Sequence, residues 1–354
     1  MKKIVFVLAL FFFSLPISAQ AATATITAPS YRHLDGTFLN QQLVTDLGAN
    51  GKFGRIVYGT TQYSTWRIDP AVIEDVIAAT KIDATKTVAG DWLARLANSV
   101  NGKRIEAIAY GNPSEYWINR FTPHDREYIL TLSGSRLSTL LNRYVYPAKS
   151  YLNASYFSLS PSQAKLVKVS QARIATSARY LDTAELENYK LALVKLFNQS
   201  LSSANRQTLA YDLAEKINGL RDAVRISTGK FTITSTNQKL PVTITNDFSQ
   251  PIKVELLLRS TNERISVGQV DKVSIPAKSK IQVMIPVSVN SSGDSGFAIT
   301  LKNSEGVTVG QTTTYSLKIA VISPVATWIT TGAAVVLFGA AILQSLRRIR
   351  KGRS

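Results

Sequence analysis

Leu240-Pro241-Val242-Thr243-Ile244-Thr245-Asn246 alternates apolar and polar residues with a period of two, which puts Val242 and Ile244 on one face and the threonines on the other. Asn246-Asp247 and Ser249-Gln250-Pro251 supply turn chemistry directly after it. The same grammar recurs outward at Lys230–Thr234, Ile252–Leu258, Lys280–Val289, Phe297–Leu301 and Tyr315–Val321, with a second turn at Ser291–Gly296. β-branched residues are dense in these runs. Six to eight short, half-buried strands predict an immunoglobulin-like β-sandwich over residues 228–320, with a barrel as the weaker alternative.

Upstream, residues 159–227 read as a helical segment packing on the region before it. Ser160-Pro161-Ser162-Gln163 starts it, with proline at the first turn. Thr183 is the expected N-cap of a second helix. Leu191, Val194, Leu196 and Leu201, then Leu209, Leu213, Ile217 and Leu220, recur at helical spacing and are most simply a core stripe. Residues 22–158 read as a mixed α/β domain. Gly54–Gly59 is expected as a strand. Asp69-Pro70 opens a helix, with Asp69 as N-cap and Val72, Ile73, Val76 and Ile77 on its inner face. Asp91-Trp92-Leu93 is expected to open another. Arg104–Tyr110 is expected as a strand ending in the turn Gly111-Asn112-Pro113. The whole is an α+β multidomain chain.

The two ends suggest a topology. Residues 1–21 read as a signal peptide: Lys2 and Lys3, an apolar stretch, then Ala19-Gln20-Ala21. Residues 322–346 read as a transmembrane helix, since Ile319–Leu346 carries no charge and its core is long enough to cross ~30 Å of hydrocarbon. Trp328 lies at the interfacial depth that suits an indole. The tail 347–354 holds Arg347, Arg348, Arg350, Lys351 and Arg353, which by the positive-inside rule is cytoplasmic. The expected location is therefore a single-pass plasma-membrane protein with its N-terminal bulk extracytoplasmic.

The 354 residues carry 41 Lys+Arg, 23 Asp+Glu, two His and no Cys, and mean hydropathy is +0.03. Absence of Cys excludes disulfide scaffolds, thiolate metal sites and thiol nucleophiles. Without Lys2, Lys3 and the five tail cations the outer part keeps 34 bases against 23 acids. That excess suits membrane lipid or an anionic wall polymer or glycan, with generic solubility as the plain alternative. No nucleic-acid partner is expected.

Three stretches together resemble a known family: Trp66-Arg67-Ile68-Asp69-Pro70-Ala71-Val72-Ile73; Asp91-Trp92-Leu93 with Ile108-Ala109-Tyr110-Gly111-Asn112-Pro113; and Leu240–Asn246 with Pro251-Ile252-Lys253-Val254, leading to the terminal span. The chain is similar to an uncharacterised family of actinobacterial single-span envelope proteins, commonly encoded beside the lipid II flippase of peptidoglycan synthesis. The resemblance covers roughly residues 55–115 and 225–354, and the chain resembles a shortened member. Where members carry Asp in the turn after the strand, this chain has Asn112 and Ser114. The resemblance implies a location and a pathway, with the flippase or other wall-synthesis membrane proteins as partners, and no activity.

The residues themselves offer little chemistry. Two histidines 91 residues apart, His33 and His124, fall short of a zinc hydrolase's ligand set, and no cofactor is expected. His124-Asp125 after Thr122-Pro123 is most simply a helix start. Asp69 and Asp91 could pair across a glycosidase cleft of ~5–9.5 Å, but an Asp that caps a helix is already explained. There is no Gly-x-Ser-x-Gly elbow and no phosphate-cradling Gly-rich loop with Lys. Tyr58, Tyr63, Trp66, Tyr110, Tyr116 and Trp117 are rings on which a sugar could stack. The candidate glycan-contact residues are Trp66, Asp69, Asp91, Tyr110 and Asn112. The leading expectation is a non-catalytic envelope protein that binds or scaffolds cell-wall assembly components. The alternatives are a carbohydrate-acting domain of glycosidase or deacetylase type, and a surface adhesin.

Overall fold

The computed structural model describes residues 22–152, 154–320 and 324–351, with side chains of the last helix described over 328–345. The expected signal peptide, Arg353 and the end of the basic tail lie outside those residues, as do the side chains of Arg347, Arg348, Arg350 and Lys351. The chain divides into two units. The first takes residues up to Ser160 together with Leu191–Leu209; the second takes Pro161–Lys190 and everything from Ala210 onward.

The first unit is α/β. Its elements run β1 (Thr23–Ile26), α1 (Gln42–Leu47), α2 (Lys52–Tyr58), β2 (Thr65–Ile68), α3 (Pro70–Ala79), α4 (Lys86–Ser99), β3 (Arg104–Ala107), α5 (Glu115–Ile118) and α6 (Pro123–Leu141). The strands form one parallel sheet in the order β1-β2-β3, with Ile26 opposite Ile68 and Ile68 opposite Ala107. Alternation sends Ala24, Ile26, Trp66, Ile68, Ile105 and Ala107 to one face, where they meet the helices. Phe53 and Trp92 anchor that helical layer, their rings 6.1 Å apart and both fully buried.

Two expectations here are corrected. Gly54–Gly59 is not a strand: Gly54 to Tyr58 lie on α2 and Gly59 ends it. Phe53 and Val57, four residues apart, share its buried face, and a Cβ on Gly54 would come within 1.8 Å of the Gly48 carbonyl oxygen. A short β-branched window hides that helical period. Asp91 does not open a helix either, because α4 begins five residues earlier. Ala89, Trp92 and Leu96 face the core from it, which leaves Asp91 exposed in mid-helix. By contrast, α3 starts with Asp69 as its cap, and Thr122 caps α6 by accepting from the Asp125 amide.

The expected helical segment over 159–227 comprises three helices, α7 (Pro161–Ser177), α8 (Thr183–Lys195) and α9 (Ser203–Gly219), shared between the two units. The boundary between units falls inside α8 and again inside α9. Long-range hydrogen bonds explain the first assignment: the side chain of Asn198 reaches Ala28 and Gly111 of the first unit.

The second unit is dominated by β4 (Val224–Ile226), β5 (Lys230–Ile233), β6 (Asn237–Asn246), β7 (Ile252–Ser260), β8 (Ile265–Val267), β9 (Val273–Ile275), β10 (Ser279–Val289), β11 (Gly293–Lys302) and β12 (Thr308–Ile319). They form a four-stranded sheet, β4-β6-β10-β8, and a five-stranded one, β5-β12-β11-β7-β9. Inner faces carry Val242, Ile244, Ile285, Phe297, Ile299 and Tyr315, all buried, as a β-sandwich requires. The three shortest strands, β4, β8 and β9, were not foreseen. Each is three residues long, too short to show an alternation. The expected turn at Ser291–Gly296 is shorter, because β11 already begins at Gly293, whose φ of 122° suits glycine.

The last helix, α10 (Pro324–Lys351), follows β12 after four residues. Its Trp328–Ser345 stretch is long and apolar enough to cross a membrane, and none of it is buried within the protein. Trp328 is 79% exposed.

Candidate functional site

In an open parallel sheet, ligands bind beyond the carboxyl ends of the strands. Here those ends hold three of the five candidate residues. Asp69 follows β2 directly, and Tyr110 and Asn112 lie in the turn after β3. Ile108 continues the ladder by bonding the Ile68 carbonyl, and the chain then folds back over Asp69. The turn needs left-handed backbone at two successive residues, Gly111 at φ 72° and Asn112 at φ 41°. Glycine and asparagine are the residues that tolerate it.

Asp69 is the centre of this arrangement and is completely buried. Its Oδ1 accepts from the Ala71 amide at 2.9 Å, capping α3, and from the Gly111 amide at 2.9 Å, pinning the turn. Its Oδ2 has no hydrogen-bond partner. Burial pushes this carboxyl up to about 8 against the opposing pull of the Gly111 and Ala71 amides, so it is mostly a neutral acid near neutrality.

Each neighbouring carboxylate is engaged. The Tyr110 hydroxyl donates to Glu74 at 2.5 Å, and Arg136 Nε donates to the same carboxylate at 2.6 Å. Burial first, and then Glu74, hold the Tyr110 phenol well above its ordinary range. Asp75 accepts from the Tyr31 amide at 3.0 Å and from Arg32 Nε at 2.7 Å. The Tyr110 amide donates to Ser133 Oγ at 2.8 Å.

The carboxyl end of the sheet is covered by the chain itself. Asn198 Nδ2 donates to Ala28 O at 3.1 Å and to Gly111 O at 2.8 Å, tying the segments after β1 and β3 together. The Ser114 amide donates to Phe197 O. Lys195 lies against Gly111 so closely that a Cβ there would sit 2.8 Å from the lysine Cγ. Arg206 locks this plug from behind, donating to Leu196 O at 3.0 Å and Asn198 O at 2.8 Å.

The other two candidates lie elsewhere. Trp66 is 2% exposed and packs edge-on to Tyr63, beside a groove of about 280 Å³ near the amino ends of the strands. Asp91 stands exposed on α4 near Tyr58. Asp69 and Asp91 therefore do not line one open cleft, and Trp66, Asp69 and Tyr110 are buried. The expected glycan-contact residues are thus spread over different parts of the unit. Of these, Asn112 is half-buried and Asp91 alone is fully open. The expected stacking rings also divide. Tyr116 and Trp117 join Tyr156 and Phe197 in a separate cluster, with Arg120 over both. The residues missed from sequence are Glu74, Arg136, Lys195 and Asn198. Glu74 lies on the same helix that Asp69 caps, which was a usable signal. Asn198 is 87 residues from Gly111 and left none.

An α/β unit with a plugged strand end, a β-sandwich and one helix apolar enough to span a membrane are thus joined in one chain. The chain belongs to a family of unknown function (DUF6049), whose sequence model matches residues 134–354. The match takes in 134–224, which the sequence resemblance did not reach, and leaves out 55–115, which it did. No curated protein matches. Among solved structures, the chain is similar to WR4, a C. elegans MSP family member, at 15% identity and a TM-score of 0.23, over 28% of this chain and 98% of that one. It is similar to E. coli α2-macroglobulin in its native conformation at 18% identity and a TM-score of 0.23, over 27% of this chain and 6% of that one. A PapD-like domain of human CEP192 aligns at 11% identity and a TM-score of 0.23, over 28% of this chain and 87% of that one.

Proposed function

We propose that the protein is a non-catalytic, single-pass envelope protein that binds or scaffolds components of cell-wall (peptidoglycan) assembly. In this reading α10 crosses the plasma membrane, the α/β domain and the immunoglobulin-like sandwich stand outside as separate modules, and the basic tail from Arg347 lies in the cytoplasm. The membrane assignment draws on the exposed apolar stretch Trp328–Ser345 and on the cationic residues after it. The wall pathway and the lipid II flippase as partner draw on the sequence resemblance alone.

The observation that carries the non-catalytic reading is the plug. The carboxyl ends of the strands are covered by Lys195 and Asn198, and the unpartnered Asp69 Oδ2 there is sealed from solvent. A glycosidase needs two carboxyl groups facing a shared cleft. The carbohydrate-acting alternative has less support for that reason, and nothing in the geometry favours an adhesin. The test is co-purification of the full chain from mild detergent, with an unrelated single-span protein as control. Enrichment of wall-synthesis membrane proteins is the expected result, and no enrichment over the control counts against the reading.

A further inference from the structure

Parallel sheets are ordinarily covered on both faces, because their crossover helices pack there. Among the described residues, this one is covered on one. The open face carries two cross-strand rows, Thr23-Thr65-Arg104 and Thr25-Arg67-Glu106. Threonine and arginine in place of Val, Ile and Leu show that this face is not an apolar one waiting for a missing helix.

The charges are organised. Glu106 accepts from Arg104 Nε at 2.7 Å and from Arg67 Nε at 3.2 Å, which fixes both guanidiniums on the surface at 42% and 47% exposure. These bonds, with the Arg104 bond first, hold the Glu106 carboxyl below its usual range. Beside them, Arg67, Glu106, Tyr146, Lys149 and Ser150 line a groove of about 270 Å³. Three cations therefore face one carboxylate. Rings border them: Tyr146 lies under the Arg104 guanidinium at 3.9 Å, and Tyr144, 72% exposed, meets Tyr146 edge-on at 5.0 Å.

We propose that this face binds an acidic polysaccharide. Guanidiniums held in place suit carboxylate groups repeated along a chain. Exposed tyrosines offer faces for sugar rings, and rows of threonine hydroxyls offer donors and acceptors to sugar hydroxyls. A lipid headgroup would use the cations and leave the rings and the hydroxyl rows idle. The proposal names a ligand class for the binding function above and rests on that reading only for where the ligand is met.

The test uses the full chain in detergent micelles with three probes: polygalacturonate, neutral dextran and short-chain phosphatidylglycerol. Polygalacturonate should bind, more weakly as salt rises, and dextran should not. Arg67→Gln with Arg104→Gln should weaken binding tenfold or more. Lys149→Gln, which disturbs no ion pair of the sheet, should weaken it two- to threefold and serves if the double variant fails to fold. Lys280→Gln with Lys318→Gln, on the sandwich, should leave it within twofold. Equal loss in the sandwich variant, equal binding of dextran, or retention of phosphatidylglycerol alone through the arginines would each overturn the proposal. Because binding is read on purified protein, its failure is distinct from a failure of co-purification.

Discussion

In the sandwich, β6 and β10 present Val242, Ile244, Val283 and Ile285 inward and Lys239 and Lys280 to solvent. In the α/β unit, β2 presents Trp66 and Ile68 inward and Arg67 outward. The written pattern is the same. Its meaning differs with the connections. An antiparallel sheet joined by tight turns can be wet on one side, whereas a parallel sheet carries a helix on each crossover and usually has no side to spare. Alternation is ordinary in the second unit and exceptional in the first, so only there does an exposed polar face call for a partner.

Buried polar pins sharpen the contrast. Asn246 ends β6 with every side-chain group used: its Nδ2 donates to Gln250, Ile275 and Pro276 carbonyls, and its Oδ1 accepts from the Phe248 amide. Asp69 ends β2 with one oxygen doubly used and the other orphaned. The first is a neutral clasp that does not respond to pH. The second is an acid whose folded form prefers its proton.

The largest expected effect tests whether the α/β sheet is held from its covered side alone. Trp92→Ala should cost the first unit about 3–5 kcal/mol in urea unfolding, the usual penalty for a vacated aromatic site. A cost below about 1 kcal/mol would mean that the sheet draws its stability from elsewhere, and the contrast between its faces would fall. Next, Asn246→Ala should destabilise the sandwich by about 2–3 kcal/mol, since three carbonyls and one amide lose a buried partner. That loss should not vary between pH 5 and 9.

Asp69→Ala should cost about 2 kcal/mol, combining a lost cap with an unpaired Gly111 amide. Asp69→Asn separates charge from shape. The folded carboxyl titrates near 8 and an unfolded one near 4. The unfolded chain therefore releases this proton first, and stability falls as pH rises from about 4 to about 8, then levels off. Thermal melts from pH 5 to 9 should show that decline in the parent and lose it in Asp69→Asn. An identical slope in both would remove the pH distinction between the two pins. Smallest of all, Arg67→Gln and Lys280→Gln should each shift stability by less than about 0.5 kcal/mol. They part company only in polysaccharide binding.

How much of this was legible follows from where the determinants sit. The long strands of the sandwich declare themselves where alternation is sustained, as in β7 and β10, whereas β12 was read only from Tyr315 because its first residues from Thr308 do not alternate. Asp69-Pro70 was equally readable, since capping is a local contract between an oxygen and the next amides. β1 and β2, four residues each, were not. The close approach of Gly54 to Gly48, which seats the helix Lys52–Tyr58, involves a residue outside the window that suggested a strand. The site was half legible: Asp69 reads as a helix cap and Gly111-Asn112-Pro113 as a turn, but no local pattern brings them together or connects them to Asn198, on which their sealing depends.

That sealing residue sits 170 positions after the carbonyl it grasps. A ribosome making this chain from its amino end releases all three parallel strands long before it releases their keystone. Until then the strand tips are unfinished and wetted, and closing so distant a contact comes late because the intervening polymer must first be drawn in. A fragment stopping at residue 160 would inherit the same predicament permanently, so the α/β unit is discontinuous in assembly as well as in sequence.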